Sequence, residues 1–340
     1  MILKQKTLCI RLIALLILPI IFAIILNQET FSGNFKKPGS KNMFNQFIDI
    51  FEPSGIAQLA NKQLLVIDDD GLKPLSLVKL NKKEPHDHLE KLTSLNFGSI
   101  EIDDLEALTI DQNQFLYAIT SHSRNRKGKL KNKRNKLIRF KVKNQQVVKP
   151  IALENLRDWI IDSYPELKKA AKIKKVQVDG GLNIEGLAYF NHQLLIGLRS
   201  PLMELENNRP HAMLIRLNLD AQLFKNKLIN STPNPLIYLD LDGAGIRDLS
   251  YVPELNGFII LSGNSVDDKK SAKLWFWNNN KPPQKIKIKG IGHLRTAEGI
   301  TPTTLLNGEK GIMITSDDGD REKGRSGHYV FIPHKNLKFK

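Results

Sequence analysis

The amino-acid sequence predicts an all-β chain built from repeated units, and three observations carry that expectation. The first is a series of short apolar runs bounded by Asn, Asp, Gly or Lys. They are Leu64-Leu65-Val66-Ile67, Phe115-Leu116-Tyr117-Ala118-Ile119, Leu194-Leu195-Ile196, Phe258-Ile259-Ile260-Leu261 and Ile312-Met313-Ile314. Runs so short and so flanked read as buried strands rather than helices. The second is a related phrase just before each run: Glu52-Pro53-Ser54-Gly55-Ile56-Ala57, Glu106-Ala107-Leu108-Thr109, Glu185-Gly186-Leu187-Ala188, Asp248-Leu249-Ser250-Tyr251 and Glu298-Gly299-Ile300-Thr301. The third is the period. The phrases recur about every 50 to 80 residues, and further strand-like segments follow at residues 137–142, 213–217, 274–277 and 329–332. That period fits the four-stranded blades of a β-propeller. Five phrases predict five blades, with a sixth, degenerate blade left open and the segment around Phe47 to Phe51 closing the last one.

Before the repeats, Lys4, Lys6 and Arg11 precede an uncharged run over residues 12–26, broken by Pro19. A basic flank before about fifteen apolar residues is the pattern of a signal peptide, and the run is slightly short for a membrane span of about twenty. No clean small-residue cleavage site follows, so residues 1–26 are read as a signal peptide or a signal-anchor helix. Residues 27–45 form a polar linker and residues 46–340 the propeller domain. The protein is therefore expected to be exported: periplasmic, or membrane-anchored through its N-terminal segment with the propeller facing outward. Cys9 is the one cysteine, which leaves the body without a disulfide framework or thiolate metal site. Within the body, Leu156, Trp159, Ile160, Tyr164 and Leu167 recur at near-helical spacing. A short helical insertion, interrupted near Pro165, is predicted there.

The formal charge of +16 favours anionic partners and says nothing about fold. Residues 124–143 concentrate it, with eleven basic residues and no acidic one. No specific nucleic-acid recognition is expected, because the run lacks an aromatic series for base stacking.

In a propeller blade the first strand lines the central channel and the second returns antiparallel to it. The start of one and the end of the other thus reach the same face. By this geometry Glu52, Glu106, Glu185, Asp248 and Glu298 are expected to ring one channel mouth as candidate ligands for Ca²⁺, a hard cation that takes six to eight oxygens. Asp68, Asp69, Ser121, Arg247, Asp317 and Asp318 are expected at the ligand-binding rim, with the basic run 124–143 over the same mouth. His122 is the candidate proton carrier and Arg199 the candidate anion clamp. Clustered carboxylates can instead be neutralised by protonation, by pairing with Arg199 or Arg247, or by accepting backbone N–H groups of the next blade.

The phrases Asn183-Ile184-Glu185-Gly186-Leu187-Ala188 and Ile196-Gly197-Leu198-Arg199-Ser200-Pro201-Leu202 resemble the hallmark of a bacterial family known as domain of unknown function 3616. Glu52-Pro53-Ser54-Gly55-Ile56, Asp104-Leu105-Glu106-Ala107-Leu108, Tyr117-Ala118-Ile119-Thr120-Ser121-His122-Ser123 and Glu298-Gly299-Ile300-Thr301 match its other motifs. The resemblance covers residues 51–332 and implies a propeller-like, commonly exported protein without an established activity. The repeated phrases are also similar to those of the esterase-like phytase and SdiA-regulated families, which implies cation binding and phosphoesterase chemistry. Ala107 stands where the family has Gly, and Asp248 stands where Glu is expected, which works against a symmetrical five-glutamate cage. The function expected is binding of a cation and a small anionic ligand at the mouth of a monomer. A metal-dependent ester or phosphoester hydrolase and an envelope interaction scaffold are the alternatives, and fold alone does not choose among them.

Overall fold

The computed structural model describes residues 44–68, 73–81, 88–205, 209–220, 222–229, 231–264 and 272–340. Each apolar run becomes the second strand of an antiparallel sheet because both of its faces are covered. Leu64 and Val66 pack into a cluster with Leu305, Met313 and Tyr329, whereas Leu65 and Ile67 face Leu105, Leu116 and Phe140. A strand clamped between two neighbours carries apolar residues at every position instead of alternating with polar ones.

Five sheets result. Blade 1 is Ile56–Gln58, Leu64–Ile67, Leu75–Asn81 and His88–Leu95; blade 2 is Leu105–Ile110, Leu116–Thr120, Leu137–Lys143 and Gln146–Leu153. Blade 3 begins with Asn183–Phe190 and Gln193–Ser200 and continues through Pro210–Asn218 to Ile237–Leu239, with the short Met203–Glu204 beside Pro210–Asn218. Blade 4 is Gly245–Val252, Gly257–Gly263, Lys273–Trp277 and Gln284–Ile288. Blade 5 is Ala297–Thr304, Lys310–Ser316 and His328–Pro333. The five first strands touch one another in sequence and close a ring, the last against the first. Five hydrophobic clusters fill the five blade interfaces. The fold is a five-bladed β-propeller, as the repeats predict.

The ring is fastened at two places. Asn45–Gln46 adds a fourth strand to blade 5, pairing Asn45 with Tyr329 and Gln46 with His328. This is slightly earlier than the segment around Phe47 to Phe51 expected to close it. The reason is that Phe47 and Ile50 turn inward into the interface of blades 5 and 1, Phe47 lying 4.7 Å from the Tyr329 ring. Asp49, at φ 56°, breaks the extended path between them. The second fastening is unforeseen by the repeats: Leu337–Phe339 leaves blade 5 and pairs with Gln284–Ile288 of blade 4.

The helical insertion lies between blades 2 and 3 and is interrupted at Pro165 as expected. It runs as Leu156–Ser163, a 3-10 turn Pro165–Leu167, Lys168–Lys172 and Val176–Asp179. Leu156, Ile160, Tyr164, Leu167 and Ala171 enter the core between the two blades. The Trp159 indole donates to Ser231 O and the Tyr164 hydroxyl to Asn234 O, tying the insertion to blade 3. Residues 1–26, with the signal or anchor expected there, lie outside the described residues. Among the described residues no helix is long and apolar enough to cross a membrane.

Candidate functional site at the propeller mouth

The register of the first strands decides which side chains reach the mouth. In blade 2, Leu105 pairs with Thr120 and Ala107 with Ile119, which leaves Glu106 bulged out of the ladder. The same irregularity occurs at Glu185 between Ile184 and Gly186, and at Glu298 between Ala297 and Gly299. A bulge re-aims the extra side chain, here toward the mouth. In blade 4 the bulged residue is Arg247, because Ile246 pairs with Ser262 and Asp248 with Leu261. In blade 1, counting back from Ile56 paired with Val66 puts Ser54 at that position. The ring is therefore Ser54, Glu106, Glu185, Arg247 and Glu298. Matching the phrases by their acidic residue misplaces blade 4 by one residue and blade 1 by two, so the five-carboxylate ring expected from the sequence does not form.

Asp248 occupies the position held elsewhere by Gly55, Ala107, Gly186 and Gly299. Space there is short: a Cβ on Gly299 would stand 2.9 Å from Gly55 Cα, and one on Gly55 would stand 3.2 Å from Ala107 Cα. The Asp248 carboxylate is wholly buried. It accepts from Leu249 N at 2.8 Å, from Ile300 N of blade 5 at 2.8 Å and from Leu187 N of blade 3 at 3.4 Å. Burial pushes its pKa well above the usual carboxylate range. This aspartate fastens three blades together.

Two of the three ring carboxylates, Glu185 and Glu298, are answered by guanidinium groups. Glu185 Oε1 accepts from Arg199 Nη1 at 2.7 Å and Asn183 Nδ2 at 2.9 Å, and its Oε2 lies 3.9 Å from Arg247 Nε. Arg247 Nη1 also donates to Glu298. Arg199 Nε reaches Asn264 O at 3.3 Å. Among the described residues no group of three or more His, Cys, Asp or Glu side chains is placed to hold a metal ion.

Above this ring opens a cavity of about 630 Å³. Its lining divides by exposure. The buried and half-buried part is a floor in which acids predominate, with Glu52, Asp104, Glu106, Glu185, Glu298 and Asp317 beside Arg124, Arg134 and Arg199, whereas the exposed cations Arg126, Lys174 and Lys175 form a basic rim. The basic run thus sits over the mouth as its position between strands predicts. Lys174 and Lys175 were not foreseen; the lysine-rich stretch of residues 168–175 is the signal that could have found them. Asp104 was also missed. It holds φ 63°, its carboxylate takes Arg134 Nη2, and burial raises its pKa against that pairing.

The other expected site residues scatter. His122 is wholly buried; its Nδ1 donates to Thr120 O at 2.7 Å. Burial pushes its pKa down to about 4. It is not among the residues that line the cavity. Ser121 is buried beside Ser123, Oγ to Oγ 2.9 Å. Asp68 is buried and accepts from Phe51 N and Glu52 N, each at 3.2 Å, and from Arg321 at 3.0 Å. It secures the entry to blade 1. Asp318 pairs with Arg295 and with His328 Nδ1 at 2.7 Å. Arg199 and Asp317 do line the cavity, and Asp69 lies outside the described residues.

Residues 166–330 match the family described as protein of unknown function (DUF3616). The DUF3616 match includes Lys174, Lys175, Glu185, Arg199, Arg247, Asp248, Glu298 and Asp317, so it spans much of the mouth as well as blades 3 and 4. No curated protein matches the chain. Among solved structures it is similar to the PQQ-bound aldose sugar dehydrogenase of Streptomyces coelicolor, at 13% identity and TM-score 0.41, over 84% of this chain and 96% of that one. It is also similar to a structural-genomics protein of unknown function from Bacteroides thetaiotaomicron (11%, 0.37, 86% and 60%). A third is the hydrazine synthase of Kuenenia stuttgartiensis (10%, 0.37, 89% and 68%). Likeness of this order carries nothing about ligand or reaction.

Proposed function

We propose that the mouth of this propeller binds a small anionic ligand, held by the basic rim with its polar groups toward the acidic floor. The division of charge in the cavity is the observation that supports this reading. Glu185 and Glu298 already have guanidinium partners, whereas Arg126, Lys174 and Lys175 line the cavity as exposed cations with no carboxylate partner among the described residues. Cations unpaired at a concave, polar mouth attract and orient an anion. The exported location expected from residues 1–26 belongs to the same proposal. The hydrolytic alternative loses its proton carrier, since His122 is enclosed and bound to Thr120. The scaffold alternative predicts a mouth without a cavity.

Titration calorimetry of the full-length protein with pyrophosphate tests the reading. Saturable binding is expected, weakened about tenfold or more by Lys174→Glu with Lys175→Glu. A flat titration at low salt would overturn it. Calcium in the same cell separates the readings: saturable calcium binding lost in Glu106→Gln would return the floor to a metal site.

A further inference from the structure

A second cavity, of about 490 Å³, adjoins the mouth. Asp104, Asn125, Arg126 and Arg134 line both, and Lys127, Lys129 and Lys131 line only the second. The two spaces therefore form one path from the channel mouth outward along the basic loop.

The charge on the outer part of this path is unbalanced. The other carboxylates lie at the mouth, and in the second cavity the one carboxylate among the described lining residues, Asp104, is engaged by Arg134, while neighbouring Asp103 lies 3.5 Å from Lys133 and 3.7 Å from Arg134. Arg126, Lys127, Lys129 and Lys131 have no acidic partner among the described residues and are exposed. With Lys174 and Lys175 they make six cations along one track, more than one phosphate group can neutralise.

The loop that carries them is also built rather than loose. Asn125 Oδ1 accepts from Lys127 N at 3.1 Å and from Lys129 N at 2.9 Å, and Asn125 N donates to Lys129 O at 3.0 Å. Arg124 bridges Gly128 O at 3.1 Å and Ala171 O at 3.4 Å. Gly128, at φ +72°, lies so close to the insertion that a Cβ there would stand 2.9 Å from Lys174 Cβ. The turn thus needs glycine twice over, for its backbone and for its seat. Among the described residues neither cavity has an aromatic side chain in its lining, so stacked bases are not what it fits.

We infer that the ligand is a linear polyanion, a chain of repeated phosphate or sulfate groups, with one end in the mouth and the rest along the groove of Lys127, Lys129 and Lys131. The inference rests on the mouth being an anion site. Linked charges on one track bind with the advantage of effective concentration, so affinity grows with chain length.

The test is a length series of phosphate, pyrophosphate, tripolyphosphate and medium-chain polyphosphate, with a heparin oligosaccharide as the sulfate arm, titrated into full-length protein. Medium-chain polyphosphate is expected to bind at least about tenfold more tightly than pyrophosphate, with a steeper loss on adding salt. The combined change Lys127→Glu, Lys129→Glu and Lys131→Glu is expected to remove that gain and leave pyrophosphate binding within about twofold. Its thermal melt should match that of the parent. Tighter binding of polyphosphate than of the heparin oligosaccharide would assign the phosphate chain, and the reverse the sulfate chain. Pyrophosphate binding without a length dependence, or a gain that survives the triple change, overturns the polyanion inference alone. Absence of binding by every anion overturns the mouth reading and this inference with it.

Discussion

The floor and the rim of the mouth use the same kinds of charged side chain for opposite ends. On the floor, Glu185, Arg199 and Arg247 are each under a tenth exposed and lie within one connected set of ion pairs that reaches Glu298. On the rim, Arg126, Lys174 and Lys175 stand in solvent. Removing one member of a buried pair leaves its partner's charge stranded in low dielectric, which costs far more than the pair contributes. A solvent-exposed cation contributes little to stability, so its loss is felt mainly by whatever it binds. The difference separates a mouth that is held together from a mouth that holds something.

The largest test of that contrast is Arg247→Ala, which removes the buried guanidinium that Glu185 and Glu298 share. A loss of about 3–5 kcal/mol in urea unfolding is expected, with partial recovery on adding Glu298→Gln. A loss below about 1 kcal/mol would mean the floor behaves like the rim.

His122 provides the next effect. Its folded pKa, near 4, lies below the ordinary 6.5, so the unfolded chain takes up a proton that the folded one refuses. The associated stability is present above pH 6.5 and is lost as pH falls toward 4, by about 3 kcal/mol in all. His122→Gln is expected to flatten that part of the pH–stability curve, and an unchanged curve would show that the ring is not buried in solution.

Asp248 carries the opposite sign. Its folded pKa is raised above 3.8, so its contribution is full below pH 3.8 and declines as pH rises through the raised value. Asp248→Asn should remove that decline. Asp248→Ala should cost about 2–3 kcal/mol by leaving backbone donors of three blades unpaired. The smallest effect on stability belongs to the rim: Lys174→Glu with Lys175→Glu should shift unfolding by less than about 0.5 kcal/mol while reducing anion binding. A large shift in the melt would make the rim structural and erase the contrast.

Much of this was legible without coordinates. The continuous apolar runs identify strands covered on both faces, and five repeated phrases count the blades, because each blade must bury both faces and uses the same local device to do so. Pro165 marks the interruption of the insertion, and the basic run falls over the mouth because a loop between second and third strands can end nowhere else. The site was legible only in part. Glu106, Glu185 and Glu298 are ring residues as expected, but His122 faces inward from a left-handed turn at φ 54°, and no local pattern announces that turn.

What the sequence determined by itself is the all-β repeat, its number of blades and the sign of the charge around the mouth, since these follow from composition and short-range pattern. What only the tertiary structure decided is the phase of each first strand, and hence that Arg247 and not Asp248, and Ser54 and not Glu52, complete the ring. Side chains alternate with a period of two along a strand, so a single bulged residue exchanges the face on which every neighbour lies. The bulge is set by hydrogen bonds to the adjacent strand, and those contacts are not written in the residues on either side of it.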